Sequence, residues 1–259
     1  MTARLEPGPV QSANPRAAEP AATAFERLRG GGAGRLRMLA SVRDLHEARL
    51  VAEAGVDVID LKEPAAGALG AVPLHVVHEV VVALRAAGHA QPVTATVGDW
   101  PVHARDAVLE RVRATAACGV DVVKVGVERA DGAAALLAAL AGAPAPVVPV
   151  FFADQGLDEA LLALACWLPF PGVMLDTAGK ADGSLLECLD APSVRHFITR
   201  VQGAGKLAGI AGSLRASQAA LLRELAPDLA GFRGALCEGG RAAGLSPQRL
   251  QALATEINN

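Results

Sequence analysis

Three lysines and two carboxylates stand where a folded chain could gather them for carbonyl chemistry. Asp60 and Lys62 lie two residues apart at the end of the strand candidate Val56–Leu61, so their side chains share one face of an extended strand. Lys124 follows an apolar-rich stretch and precedes Val125-Gly126, while Asp176 ends the run Gly172–Leu175 with Lys180 four residues later. A lysine is rarely buried unless paired. Desolvation lowers its pKa, which makes a neutral amine available to attack a carbonyl. The iminium so formed withdraws electrons, the adjacent carbon loses a proton, and an enamine nucleophile results; neighbouring carboxylates move the protons. The residue types alone rank Lys62 and Lys124 equally for the covalent role. Plain ion pairs, with Lys124 bound to Asp60 or Asp176, remain the alternative.

Two glycine-rich turns supply the other half of a site. Ala211-Gly212-Ser213-Leu214 and Cys237-Glu238-Gly239-Gly240-Arg241 each follow a strand candidate and precede a helix candidate. Backbone N–H groups at such turns cradle an anion, and the turns after strands seven and eight are where barrels of parallel strands bind phosphate. Gly212, Ser213, Gly239, Gly240 and Arg241 are therefore the expected phosphate contacts. Lysines, acids and an anion cradle together point to a Schiff-base aldolase or a related lyase acting on a sugar phosphate.

Positioning these groups requires a regular scaffold, and from Leu36 the pattern is regular. Short β-branched runs alternate with Ala/Leu-rich segments of helical period. Strand candidates are Leu36–Ser41, Val56–Leu61, Val93–Val97, Val120–Val125, Val147–Phe151, Gly172–Leu175, Lys206–Ile210 and Gly231–Leu236. Helix candidates fill the gaps, among them Leu74–Ala87, Val102–Ala117 and Pro247–Ile257, the last with Ser246 as N-cap. Eight strand–helix units predict a single (β/α)8 TIM barrel over residues 35–259. The segment Gly55-Val56-Asp57-Val58-Ile59-Asp60 is echoed by Gly119-Val120-Asp121-Val122-Val123-Lys124 and, more loosely, by Gly172-Val173-Met174-Leu175-Asp176. The echo sets Asp60, Lys124 and Asp176 at equivalent points on strands two, four and six. Alternate strands share a layer inside a barrel, so the three groups should converge. An open doubly wound sheet is the rival, weakened by the lack of a glycine fingerprint after the first strand.

Composition narrows the partners. Among 259 residues there are six Phe, two Trp and no Tyr, and the net charge is −3, which speaks against nucleic acid and anionic membrane surfaces. No stretch approaches the roughly 20 apolar residues of a membrane span. Four cysteines without CxxC spacing read as reduced thiols, and the histidines, His75 included, show no metal-binding spacing. The chain reads as a soluble, cytoplasmic enzyme with a small-molecule sugar phosphate as its partner and no metal or cofactor. Residues 1–34, rich in Pro, Ala and Gly, predict a disordered tail. A homo-oligomer stays open, since no apolar stripe marks an interface.

Five segments carry a resemblance to a known family. They are Ile59-Asp60-Leu61-Lys62-Glu63-Pro64 continuing through Gly67-Ala68-Leu69-Gly70, then Val123-Lys124-Val125-Gly126, then Met174-Leu175-Asp176-Thr177-Ala178-Gly179-Lys180. Gly209-Ile210-Ala211-Gly212-Ser213-Leu214 and Phe232-Arg233-Gly234-Ala235-Leu236-Cys237 complete the set. In this order they resemble the (5-formylfuran-3-yl)methyl phosphate synthase family (4-(hydroxymethyl)-2-furancarboxaldehyde phosphate synthases), over about residues 36–258. The resemblance implies a TIM barrel that condenses two molecules of glyceraldehyde 3-phosphate, losing water and one phosphate, in methanofuran biosynthesis. It implies Lys62 as the Schiff-base lysine with Asp60 as its partner acid. Lys124 and Lys180 would hold phosphates or developing oxyanions, and Asp60 and Asp176 would shuttle protons. Another Schiff-base aldolase and a non-catalytic sugar-phosphate sensor are the competing readings.

Overall fold

Along β4 (Val122–Val127) the residues alternate between two apolar environments. Val122 packs with the interior group that includes Leu39 and Val58, while Val123, Val125 and Val127 pack with the shell beneath the helices. Such a strand is covered on both faces, as parallel strands require. The computed structural model describes residues 35–179 and 183–258. Its other strands are β1 (Arg37–Val42), β2 (Val58–Leu61), β3 (Val93–Thr96), β5 (Val147–Phe152), β6 (Gly172–Asp176), β7 (Leu207–Ile210) and β8 (Leu229–Phe232). Neighbours in sequence pair in parallel, and β8 pairs back onto β1 with Arg37 opposite Leu229 and Ala40 opposite Phe232. The sheet is closed, and the fold is the expected (β/α)8 barrel.

The helices are α1 (Leu45–Glu53), α2 (Leu74–Ala86), α3 (Arg105–Ala116), α4 (Ala133–Ala141), α5 (Glu159–Trp167), α6 (Leu185–Cys188), α7 (Ala191–Gly203), α8 (Ala219–Leu225) and α9 (Pro247–Asn258). Helix α2 shows why they form and where they go. Val77, Val80, Val81 and Leu84 recur at helical spacing and are all buried, giving one apolar stripe against the sheet. Each such side chain contributes about 1.5–3 kcal/mol by leaving water, so a charge at Val80 would dislodge the helix. Side-chain caps define several starts: Asp44, Asp158 and Asp190 accept backbone N–H groups at the heads of α1, α5 and α7. Ser246 Oγ accepts from Arg249 N at 3.4 Å, the expected cap of α9.

The aspartates of the sequence echo tie strand to strand. Asp57 Oδ2 accepts from Met38 N at 2.9 Å, and Asp121 Oδ2 accepts from Val93 N at 2.7 Å. Asp228 repeats the device on Ala208 N at 2.8 Å. Each carboxylate stands just before an even-numbered strand and secures a backbone donor near the start of the preceding one. Such pairing removes the cost of a buried, unbonded N–H.

Most element boundaries fall within two residues of those expected, and two differ by more. Strand β8 ends at Phe232, because Gly234–Leu236 closes a 3-10 turn with Cys237 N bonded to Gly234 O. The apolar pair Ala235-Leu236, which fits a strand pattern, is a partly buried turn. Helix α3 begins at Arg105 rather than Val102. The 1–34 tail lies outside the described residues. No helix among the described residues is long and apolar enough to cross a membrane.

Candidate active site

Strand parity delivers the charged groups to the barrel mouth. Asp60 sits opposite Ser41 on one side and Thr94 on the other, and Lys124 opposite Thr96. All three neighbours are short hydroxyl residues that leave the charges room; Ser41 and Thr94 donate to Asp60, while the Thr96 hydroxyl donates to the Leu61 and Gly70 carbonyls. Asp60 is fully buried, and three groups donate to it: Lys124 Nζ at 2.8 Å, Ser41 Oγ at 3.0 Å and Thr94 Oγ1 at 2.6 Å. A second pair lies beside the first. Lys62 Nζ donates to Asp176 Oδ2 at 2.8 Å, and Thr177 N donates to Asp176 Oδ1 at 2.8 Å. The Lys62 side chain is 11% exposed against 4% for Lys124, so Lys62 is the more accessible amine.

Burial pushes the Lys124 pKa down, and the nearby Lys62 cation adds to the effect. Asp60 and Asp176 pull it back without cancelling the shift, so Lys124 titrates below the ordinary lysine range. The site therefore combines two ammonium groups, one of them easily deprotonated, with two carboxylates.

A cavity of about 540 Å³ opens above these pairs. Its place is decided by side-chain size. Leu69, from the loop after β2, and Phe152, at the end of β5, fill the interior on the side of β3–β5. A Cβ at Gly126 would lie 2.9 Å from the Phe152 ring and 3.0 Å from Leu69, so only glycine admits both. Just after β7 and on β8 the lining residues Ala211 and Gly231 are small, and there the space stays open. Two carboxylates outside the cavity fix the loops that carry the chemistry. Asp99 accepts from Ala68 N and Leu69 N at 2.7 and 2.9 Å, and Asp154 accepts from Ala178 N and Gly179 N at 2.9 and 2.6 Å.

The sequence profile of the family described as 4-HFC-P synthase matches residues 38–254. The chain belongs to that family. Among its relatives, a Methylorubrum extorquens protein provisionally named for (5-formylfuran-3-yl)methyl phosphate synthase activity is 38% identical over 203 residues, covering 78% of this chain and 83% of its own. The (5-formylfuran-3-yl)methyl phosphate synthase of Methanopyrus kandleri is 32% identical over 220 residues, covering 80% and 91%. That of Methanosarcina mazei is 29% identical over 235 residues, covering 85% and 99%. Among solved structures, phosphoribosyl anthranilate isomerase from Thermus thermophilus superposes with a TM-score of 0.61 at 15% identity, over 85% of this chain and 98% of its own. That likeness is one of fold.

In this 4-HFC-P synthase family member, Asp60, Lys62, Lys124, Asp176, Gly212, Ser213 and Arg241 all line the one cavity. Lys180 lies outside the described residues. Gly239 and Gly240, expected to cradle phosphate, are exposed and do not line the cavity. Because β8 ends early, Gly234 and Ala235 take the position expected of them. The turn after β7 does meet the cavity. Gly212 adopts φ +109°, and a Cβ there would press within 3.0 Å of Thr177, so glycine lets this turn pack against the end of β6. Histidine His75 is exposed on α2, away from the site. Sequence reasoning passed over Ser41, Thr94, Asp99 and Asp154. Inward parity with Asp60 was the available signal for the two hydroxyls.

Proposed function

We propose that this chain is a (5-formylfuran-3-yl)methyl phosphate synthase that joins two molecules of glyceraldehyde 3-phosphate through a Schiff base on Lys62. The observation that carries the reading is the double lysine–carboxylate arrangement beneath the cavity, in a chain of the 4-HFC-P synthase family. Lys62 passes a proton to Asp176 and attacks the carbonyl of one triose phosphate, after its tautomerisation to the ketone. Loss of a proton from the next carbon gives the enamine, which attacks the aldehyde of the second triose. Loss of two waters, elimination of one phosphate, ring closure and hydrolysis of the Lys62 iminium then release an aromatic furan aldehyde phosphate, whose stability draws the sequence forward. Lys124, with its lowered pKa and deep position, suits proton transfer at the carbinol and enamine stages better than holding a phosphate. Asp60, held by three donors, is an anchored carboxylate that orients Lys124. Phosphates are assigned to Gly212, Ser213, Gly234, Ala235 and Arg241, with Lys180, four residues after Asp176 in the sequence. The product suits methanofuran biosynthesis, and a reducing cytoplasm suits the four free thiols.

The test is incubation of purified protein with glyceraldehyde 3-phosphate alone, followed by released phosphate, furan absorbance and product mass. A furan phosphate supports the synthase. An aldol product of other mass points to a different Schiff-base aldolase, and binding without turnover to a sensor. Borohydride trapping assigns the lysines: Lys62→Ala should lose both turnover and the trapped adduct, whereas Lys124→Ala should lose turnover and keep the adduct. The reverse pattern moves the Schiff base to Lys124.

A further inference from the structure

Glu47 and Arg233 form a buried ion pair at the barrel mouth that the lysine chemistry does not use. Their side chains are 4% and 8% exposed. Arg233 follows β8 directly and lines the cavity, which would suit it to bind phosphate. Its donors are already committed. Nε donates to Arg241 O at 2.9 Å; Nη1 donates to Ser41 O at 3.1 Å and Glu47 Oε2 at 2.6 Å; Nη2 donates to Glu47 Oε1 at 3.1 Å and Ala243 O at 2.6 Å. A guanidinium has five N–H donors, and all five are spent. Arg43, bonded to the same Glu47, donates from Nη1 to Ala242 O at 2.9 Å. Three successive carbonyls, those of residues 241, 242 and 243, are thus each fixed by an arginine that Glu47 holds.

What this frame carries is Arg241. Its Nη2 donates to Pro64 O and to Gly67 O, bridging the cavity edge to the loop that follows Lys62. Its Nε and Nη1 have no protein partner among the described residues, and the side chain lines the cavity. A cation with open donors, set on a backbone clamped at three consecutive carbonyls, is preorganised for an anion. We infer that Arg233, oriented by Glu47, is a positioning residue that sets Arg241 to receive a substrate phosphate. The inference rests on the proposed function for the identity of that anion.

Arg233→Lys keeps the charge and loses the fork. Misplacing Arg241 should raise KM for glyceraldehyde 3-phosphate between about tenfold and a hundredfold. The kcat should stay within about twofold, the signature of lost binding rather than lost chemistry. Glu47→Gln, which keeps the shape of the side chain, should shift KM the same way and serves if Arg233→Lys does not fold. In an Arg241→Ala background either change should add less than about twofold, because a residue acting through Arg241 has nothing left to position. A lowered melting temperature with unchanged KM, or effects that multiply in the double variant, would overturn the inference. Binding of inorganic phosphate, read by calorimetry across the same variants, separates this outcome from failure of the synthase reading. A wild type that binds phosphate but forms no furan sinks the synthase and leaves the cycle to be judged on the phosphate Kd.

Discussion

Lys124 is a buried amine on the cavity lining whose one directly bonded anion among the described residues is Asp60 at 2.8 Å. Asp60→Asn removes the charge and keeps the shape, leaving Lys124 to shed its proton or to stay charged at a cost up to about 3 kcal/mol. The pH dependence tells these apart. A lysine whose pKa is lowered by folding binds its proton more tightly in the unfolded chain, so between the two values stability rises with pH. The wild type already has that slope, because burial lowers the Lys124 pKa. In Asp60→Asn the window widens towards lower pH. Its melting temperature should therefore fall furthest short of wild type at low pH and close on it as pH rises; a gap independent of pH would mean that Lys124 does not change its charge across the range. At this scale the sequence was informative where residue type and position coincided. A lysine or aspartate inside an apolar strand is costly enough to stand out, which is why Asp60, Lys62, Lys124 and Asp176 were legible. Ser41 and Thr94 were not, since a hydroxyl in a strand costs little and occurs anywhere. Gly239 and Gly240 misled because a glycine pair marks a turn and says nothing about which way it faces.

Strands and loops are pinned by carboxylates that read as ordinary surface acids in the sequence. Asp121 accepts from Val93 N at 2.7 Å and pairs with Arg85 at 2.6 Å. Asp121→Ala would leave the Val93 donor unbonded in a buried strand, a loss of about 1–3 kcal/mol. Urea unfolding should show a lower midpoint with an unchanged slope. An unchanged midpoint would show that water replaces the carboxylate there. Loop clamps affect function more than stability. Gly67 adopts φ +120°, and a Cβ on it would sit 1.9 Å from the Asp99 carboxylate. Gly67→Ala should therefore break the Asp99 bonds to Ala68 and Leu69 and release Leu69 from the interior. We expect turnover to fall at least tenfold with a melting temperature within a few degrees of wild type, as loop misplacement would cause. A fall in both together would mean that the loop belongs to the folding core. The eight strands were legible because β-branched runs alternate with helical period. The end of β8 was not, since Gly-Ala-Leu at 234–236 satisfies a strand pattern as well as a tight turn. Arg233 leaves the strand at φ −137° and ψ −63° and leads into the 3-10 turn, while its side chain pairs with Glu47.

A closed barrel has one seam that chain order cannot secure locally, where the last strand meets the first. Register Arg37↔Leu229 through Ala40↔Phe232 closes it with backbone bonds. The Glu47–Arg233 pair closes it again with side chains, since Glu47 stands on α1 just after β1 and Arg233 just after β8. Burial alone would raise the Glu47 pKa. The hydrogen bonds from Arg233 and from Arg43 N, with the charges of both arginines, outweigh it and hold the carboxyl below the ordinary glutamate value. A carboxylate lowered by folding stabilises fully above its unfolded pKa, about 4.3, and loses that contribution as pH falls through the folded value. Glu47→Gln should therefore be less stable than wild type by about 3 kcal/mol near neutrality, where it leaves Arg233 buried without its anion. As pH falls from the unfolded value through the lowered folded value, the wild type protonates Glu47 and loses the same pair, so the two unfolding midpoints should converge there. Urea titrations stepped from pH 7 down to the acid limit of folding measure this directly. Convergence on acidification would identify the ion pair as the seam's second fastening, and a constant difference would assign the loss to packing around α1 instead.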